Sequence, residues 1–247
     1  MKPVQAARVV VWASACAWVV LQFWLLRPPS IAPFWRQAET QSMALNMAER
    51  EFNLLYPQIN WGGDGPGYVE AELPVYQALM APLLAWTHGA EWPGQILSLV
   101  CAALCAIVLF ALLERRFGPG PALFGALYSL TSTLGVHLSI AVMPDMLCGL
   151  LYLVALERFL SYLEASDARS FVASCVALAL GSCIKPLALH LGIAEFLIVA
   201  LSRRDLLRAP ALWIGWGLTV SAVVAYLLHG VHIHAVYGNS FGVVSGA

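Results

Sequence analysis

From Ala209 to Ala247 the chain carries no Asp, Glu, Lys or Arg, and residues 92–113 and 117–144 are equally free of formal charge. A helix exposed to water keeps a polar face, so uncharged runs of this length need another solvent. They are long enough to cross about 30 Å of hydrocarbon at about 1.5 Å per residue. Composition points the same way. The chain is 60% hydrophobic and 11% charged, against roughly 45–50% and about 25% in soluble domains. A soluble enzyme, a nucleic-acid binder and a disordered chain are excluded. The fold class is an all-α polytopic membrane protein with the lipid bilayer around it. Because 13 basic residues nearly cancel 14 acidic ones, only the placement of charge is informative.

The apolar stretches predict spans over residues 8–27, 92–114, 119–141, 144–165, 169–184, 186–203 and 209–229. Lys2 and Arg8 precede the first, and Val9 to Leu26 outruns a signal-peptide core, so it reads as a retained signal anchor. Residues 74–89 are the ambiguous stretch, short and carrying Pro74 and Pro82. Basic residues concentrate on the cytoplasmic side of membrane proteins, and that settles the count. If 74–89 does not span, Lys2, Arg8, Arg115, Arg116, Arg158, Arg169, Arg203, Arg204 and Arg208 are inside, nine in all, and only Arg27, Arg36, Arg50 and Lys185 are outside. If it spans, three are inside and ten outside. The first arrangement is therefore expected: seven spans, a cytoplasmic N-terminus, and 74–89 as an interfacial or re-entrant helix in an external loop over 28–91.

That orientation gathers the polar residues on one side. Loop 28–91 holds seven acids (Glu39, Glu49, Glu51, Asp64, Glu70, Glu72 and Glu91) against Arg36 and Arg50. Asp145 falls at the next external turn and Lys185-Pro186 at the one after, while His229, His232 and His234 emerge at the end of the seventh span. Residues 36–51 are rich in helix formers and set Arg36, Glu39, Met43 and Asn46 on one face. Trp61-Gly62-Gly63-Asp64-Gly65-Pro66-Gly67 predicts a tight glycine-shaped loop. The six cysteines lie inside apolar runs and read as small buried hydrophobic residues, not as a disulfide framework. Trp61, Trp86 and Trp92 read as interface aromatics. Glu195 falls near the middle of the sixth span, where a lone carboxylate is costly, so it should be protonated or hydrogen-bonded within the bundle.

Phe34-Trp35-Arg36-Gln37-Ala38-Glu39-Thr40, Asn46 and Asn53-Leu54-Leu55-Tyr56-Pro57 resemble the first external loop of the GT-C membrane glycosyltransferases. The bacterial group related to protein mannosyltransferases, aminoarabinose transferases and RgtA/B/C/D-like enzymes is the nearest likeness. Glu72-Leu73-Pro74-Val75-Tyr76, Arg115-Arg116-Phe117-Gly118, Met143-Pro144-Asp145, Lys185-Pro186 and Tyr237-Gly238-Asn239-Ser240-Phe241-Gly242 follow in the family's order. The resemblance covers nearly the whole chain. It implies one GT-C-like transmembrane module over 1–247 with seven helices and a catalytic loop at 28–91. By the same resemblance, the family's variable C-terminal module is expected to be missing from 1–247. The implied reaction moves a sugar from a polyprenyl-phosphate carrier to a hydroxyl on an external glycan, lipid or protein acceptor, usually with inversion. A bacterial inner membrane with a periplasmic site is the implied location.

Inverting transfer needs a carboxylate to take the acceptor's proton and a cation or dipole to stabilise the departing phosphate. By resemblance, Glu39 is the general base and Asp145 the second external carboxylate. The alternatives are an Arg36 ion pair one helical turn away for Glu39 and a helix-capping role for Asp145. Lys185 is the candidate for the lipid phosphate, its alternative being a side chain that snorkels to the interface. Arg36, Glu72 and His137 complete the expected substrate-binding set. Glu72 matches the Glu of a Glu-Lys-Pro motif in aminoarabinose-type relatives, but Leu73 replaces the Lys, with Glu70 or Asp64 as stand-ins. A divalent metal is a candidate cofactor, with Glu72, His229 and His232 as candidate ligands. A transporter or flippase, or an inactive transferase fragment, is the alternative reading, although no inverted repeat is visible and the acids crowd one face.

Overall fold

The structure, a computed structural model, describes residues 3–25, 35–60 and 65–241. Ten α-helices are found there: α1 (Pro3–Leu25), α2 (Trp35–Glu49), α3 (Val75–Thr87), α4 (Trp92–Phe117), α5 (Pro119–Thr131), α6 (Thr133–Ile140), α7 (Asp145–Ala165), α8 (Ala168–Ile184), α9 (His190–Ser202) and α10 (Pro210–Tyr237). Short 3₁₀ turns occupy Pro186–Leu189 and Arg204–Arg208. Extended pairing among the described residues is limited to two isolated bridges, Gln58 with Tyr68 and Glu70 with Ser240.

The described part of each apolar stretch is largely helical, with a break at Ser132 and a 3₁₀ turn at Pro186–Leu189. Helices α1, α4, α7 and α10 are long and apolar enough to cross a membrane, and α5 with α6 makes a fifth if the bent pair is one span. Helix α8 and the segment Pro186–Ser202 are apolar but shorter. The chain is a multi-pass membrane protein.

Two boundaries differ from expectation for backbone reasons. Residues 119–141 are not one straight helix but are bent by 56° between α5 and α6. Ser132 is extended there, and its hydroxyl accepts the Gly135 N–H at 3.1 Å. A short side chain that bonds nearby backbone competes with the helix. At the other end of the chain, α10 continues past 229 to Tyr237, so His229, His232 and His234 lie on the helix. It stops at Gly238, whose φ of 74° is the left-handed conformation a side chain disfavours.

Two compact units form, and the chain passes between them more than once: Met1–Phe52 with Tyr76–Leu150, and Asn53–Val75 with Leu151–Ala247. In the first, Val11, Ala15 and Trp18 of α1 pack with Leu99, Ala102, Ala106 and Phe110 of α4 and with Ala122, Ala126 and Leu130 of α5. The alanines let helix backbones approach closely, which drives association where no water is displaced. Arg8 and Glu114 join α1 to α4 at 3.0 Å. A buried polar tie holds α3: Tyr76 Oη and Ser98 Oγ, 2.8 Å apart, lie 2.6 Å from the carbonyls of Gly94 and Ala141 respectively.

In the second unit, Ala155, Ala177, Leu178 and Leu191 form one core cluster, and Phe159, Phe171, Val199 and Leu212 form another. Glu195 is buried and hydrogen-bonded, as its depth requires. Trp216 Nε1 donates to it at 2.9 Å, and Ser174 Oγ stands 3.2 Å from its other oxygen. Cys101, Cys105, Cys148 and Cys183 are buried, whereas Cys16 is exposed on α1. Trp86 and Trp92 are both exposed and meet edge to face at 6.5 Å. Trp61 lies outside the described residues.

Candidate functional site

Helix α2 carries the first set of candidate residues. Met43 and Asn46 are buried, whereas Arg36 and Glu39 on the same face are half-buried. Two side chains fix the helix. Gln41 Nε2 donates to the carbonyls of Gly89 and Ala90, both at 3.3 Å, and Gln37 Oε1 accepts the Val142 N–H at 2.9 Å. The second bond ties the segment before α7 to the turn of α2 that bears Glu39. Asp145 is the first residue of α7, where its charge favours the exposed amide end of the helix. Burial pushes the Tyr76 hydroxyl pKa up, and the Asp145 charge adds to that. His137 is exposed on α6.

The Glu39 carboxyl is raised to about 7, chiefly because burial disfavours its charged form, with the Arg36 guanidinium pulling it back down. A carboxylate near neutrality binds a proton more tightly than an ordinary surface Glu and still ionises at physiological pH. Those are the properties of a general base.

The other candidates belong to the second unit. Helix α8 ends at Ile184 because Pro186 has no N–H and pushes its predecessor out of the helical region; Lys185 is extended, with φ −138° and ψ 108°. Its side chain remains 30% exposed, and its Nζ lies 3.5 Å from Glu72 Oε1. The candidate phosphate-binding lysine therefore has a carboxylate partner that separation in sequence conceals.

Glu72 is delivered by an extended stretch bonded to both helix ends. Val69 N donates to Pro57 O, Glu70 N to Asn239 O, Phe241 N to Glu70 O and Leu73 N to Cys183 O, all between 2.9 and 3.1 Å. Tyr226 Oη of α10 donates to Ala71 O at 3.1 Å, and Asn239 Nδ2 to Tyr68 O at 3.0 Å. Around this stretch, Tyr56 meets Tyr68 and His229 edge to face, and Tyr68 meets Tyr237 in the same way. Tyr226 and Ser240, to which the sequence patterns assign no role, carry ties to this stretch. Glu70, expected only as a stand-in for Glu72, is fully buried.

The candidate metal ligands do not assemble. His229 Nε2 donates to Leu55 O at 2.8 Å, and the His229 and His232 rings are 6.5 Å apart. Glu72 faces Lys185 instead. Among the described residues no group of three His, Cys, Asp or Glu side chains is arranged to hold a metal ion, so no chemical step is routed through one. Asp64 lies outside the described residues. A groove of about 260 Å³ on α8 and α10, lined by Phe171, Cys175, Gly215 and Thr219 among others, has no charged side chain in its wall. It offers nothing to a phosphate.

A family profile described as dolichyl-phosphate-mannose-protein mannosyltransferase matches residues 69–229. No curated protein and no solved structure matches the chain. The matched span takes in Glu70, Glu72, Asp145, Lys185 and His229, and begins after Arg36 and Glu39.

Proposed function

Because this chain belongs to the dolichyl-phosphate-mannose-protein mannosyltransferase family, a family of GT-C glycosyltransferases, we propose that it moves a sugar from a polyprenyl-phosphate donor to a hydroxyl of an external glycan, lipid or protein, with inversion. That it is a membrane glycosyltransferase follows from the family itself. The donor, the acceptor class and the inverting course belong to this proposal, together with seven spans, an external active face and a bacterial inner membrane.

The observation that carries the mechanism is Glu39, a half-buried carboxyl with a pKa of about 7. Its carboxylate takes the proton of the acceptor hydroxyl as that oxygen attacks the anomeric carbon. The new glycosidic bond forms on the face opposite the breaking bond to the lipid phosphate, which inverts the configuration. The leaving phosphate carries the electron pair away, and the Lys185 ammonium lowers the cost of that charge. Asp145 holds the acceptor, while Arg36, Glu72 and His137 orient the donor. Seven spans are read from the seven apolar stretches of the sequence and from the nine-to-four excess of basic residues on one side.

The pH profile tests this role with its sign fixed in advance. Below about pH 7 Glu39 is protonated and cannot accept a second proton. The transfer rate should therefore fall about tenfold per pH unit on the acid side and level off above neutrality. The residual rate of Glu39→Gln should lack that limb. A wild-type acid limb near pH 4.5, or an unchanged limb in Glu39→Gln, would assign the base to another group.

A further inference from the structure

Glu70 is an unusual acid. Its side chain is fully buried, where a carboxylate is costly unless it is bonded. Ser240 Oγ donates a short hydrogen bond to Glu70 Oε2. The methylene part of the side chain lies on α10 at Gly230, where an added Cβ would sit 3.1 Å from Glu70 Cγ. The main chain is held on the same side, by Glu70 N to Asn239 O and Phe241 N to Glu70 O. A plain packing residue would fill this space without the cost of a buried charge.

What the carboxylate supplies is register. The main chain is pinned on either side of Glu72, by Glu70 N to Asn239 O and by Leu73 N to Cys183 O, so the position of residue 70 sets that of residue 72. A slip by one residue would turn Val69 or Ala71 toward Ser240 and would swing Glu72 away from Lys185. Only Glu at 70 completes the bond to Ser240. The buried neighbours Val69 and Ala71 are apolar and cannot.

We propose that Glu70, locked between Gly230 and Ser240, is a positioning residue that sets the Glu72–Lys185 pair, so that residues 239–241 belong functionally to the donor-phosphate site. It acts through Glu72, which aims the flexible Lys185 side chain at a fixed point. The role at the phosphate rests on the function proposed above. The register itself does not.

The test therefore reads both. Zero-length carbodiimide coupling joins a carboxylate to an amine only when the two are in contact, and the sequence holds just two lysines, Lys2 and Lys185. In the full-length protein in membranes, the Glu72–Lys185 cross-link should form in the wild type and drop at least fivefold in Ser240→Ala and in Glu70→Leu, which has no acceptor for the Ser240 hydroxyl. Ser240→Thr, which keeps the hydroxyl, should restore it. In transfer assays the first two variants should raise the donor KM about tenfold and lower kcat in the same direction as Lys185→Ala, but less. Wild-type cross-link yield in Ser240→Ala would overturn the proposal whatever the kinetics. Loss of the cross-link with unchanged KM, while Lys185→Ala raises KM, would overturn the link to the phosphate site. If Lys185→Ala also leaves KM unchanged, the phosphate reading of the site fails and the cross-link alone judges the register. Should Ser240→Ala fail to insert, Gly230→Ala presses on the same joint and is read in the same way.

Discussion

Glu39→Gln should lower sugar transfer by about 10²–10⁴-fold, the range that a positioned general base contributes, with the protein still inserted and its donor KM nearly unchanged. Gln is close to Glu in size and keeps helix propensity, so α2 should persist with Gln41 and Gln37 holding their carbonyl and amide partners. What disappears is the proton acceptor. The competing role, an ion pair with Arg36 one turn earlier, predicts a different result. A half-exposed pair on one helix is worth only a few tenths of a kcal/mol, so its loss would leave catalysis near the wild-type rate. A fall in kcat measured at saturating donor, with an unchanged thermal midpoint, assigns the base. An activity within about threefold of wild type refutes it.

Lys185→Ala should have the second-largest effect, and on a different parameter. The side chain is 30% exposed and its Nζ is 3.5 Å from Glu72, so a phosphate approaching it competes with the Glu72 carboxylate. Removing a charge-assisted contact of this kind should raise donor KM by about 10–100-fold. Because the phosphate gains charge as the sugar departs, kcat should fall as well. Lys185→Arg should recover part of the binding, since a guanidinium keeps the charge and differs in reach and geometry. Initial rates across a range of polyprenyl-phosphate sugar concentrations separate the two parameters. An unchanged KM in Lys185→Ala would return the residue to the simpler role of an interface lysine.

Hydropathy made the helices legible because lipid solvation demands continuous apolar runs that satisfy their own backbone. The bend at Ser132 was not, because hydropathy carries no backbone term and Thr131, Ser132 and Thr133 interrupt neither charge nor length. The extension of α10 through His232 and His234 was hidden for a related reason. Polar side chains suggest the end of a span, but the helix continues to the first residue that favours a left-handed turn, Gly238. Glu39 could be nominated from a motif, yet its raised pKa comes from packing that no motif displays. Glu70 looked like one more solvated acid in an acid-rich loop. Its burial depends on Ser240, 170 residues later, and on the bare backbone at Gly230. The Lys185–Glu72 contact is similar: each residue is visible alone, and only the pairing of Leu73 with Cys183 brings them together.

The chain should break the bond between a sugar and a polyprenyl phosphate. This is tested most directly with the protein reconstituted in liposomes that contain a radiolabelled polyprenyl-phosphate sugar and a membrane extract supplying acceptors. Polyprenyl phosphate should be released as label appears on an acceptor in the opposite anomeric configuration, and both products should be lost together in Glu39→Gln. Movement of the intact labelled lipid across the bilayer, with its sugar–phosphate bond unbroken and no label on any acceptor, would contradict this and identify a flippase.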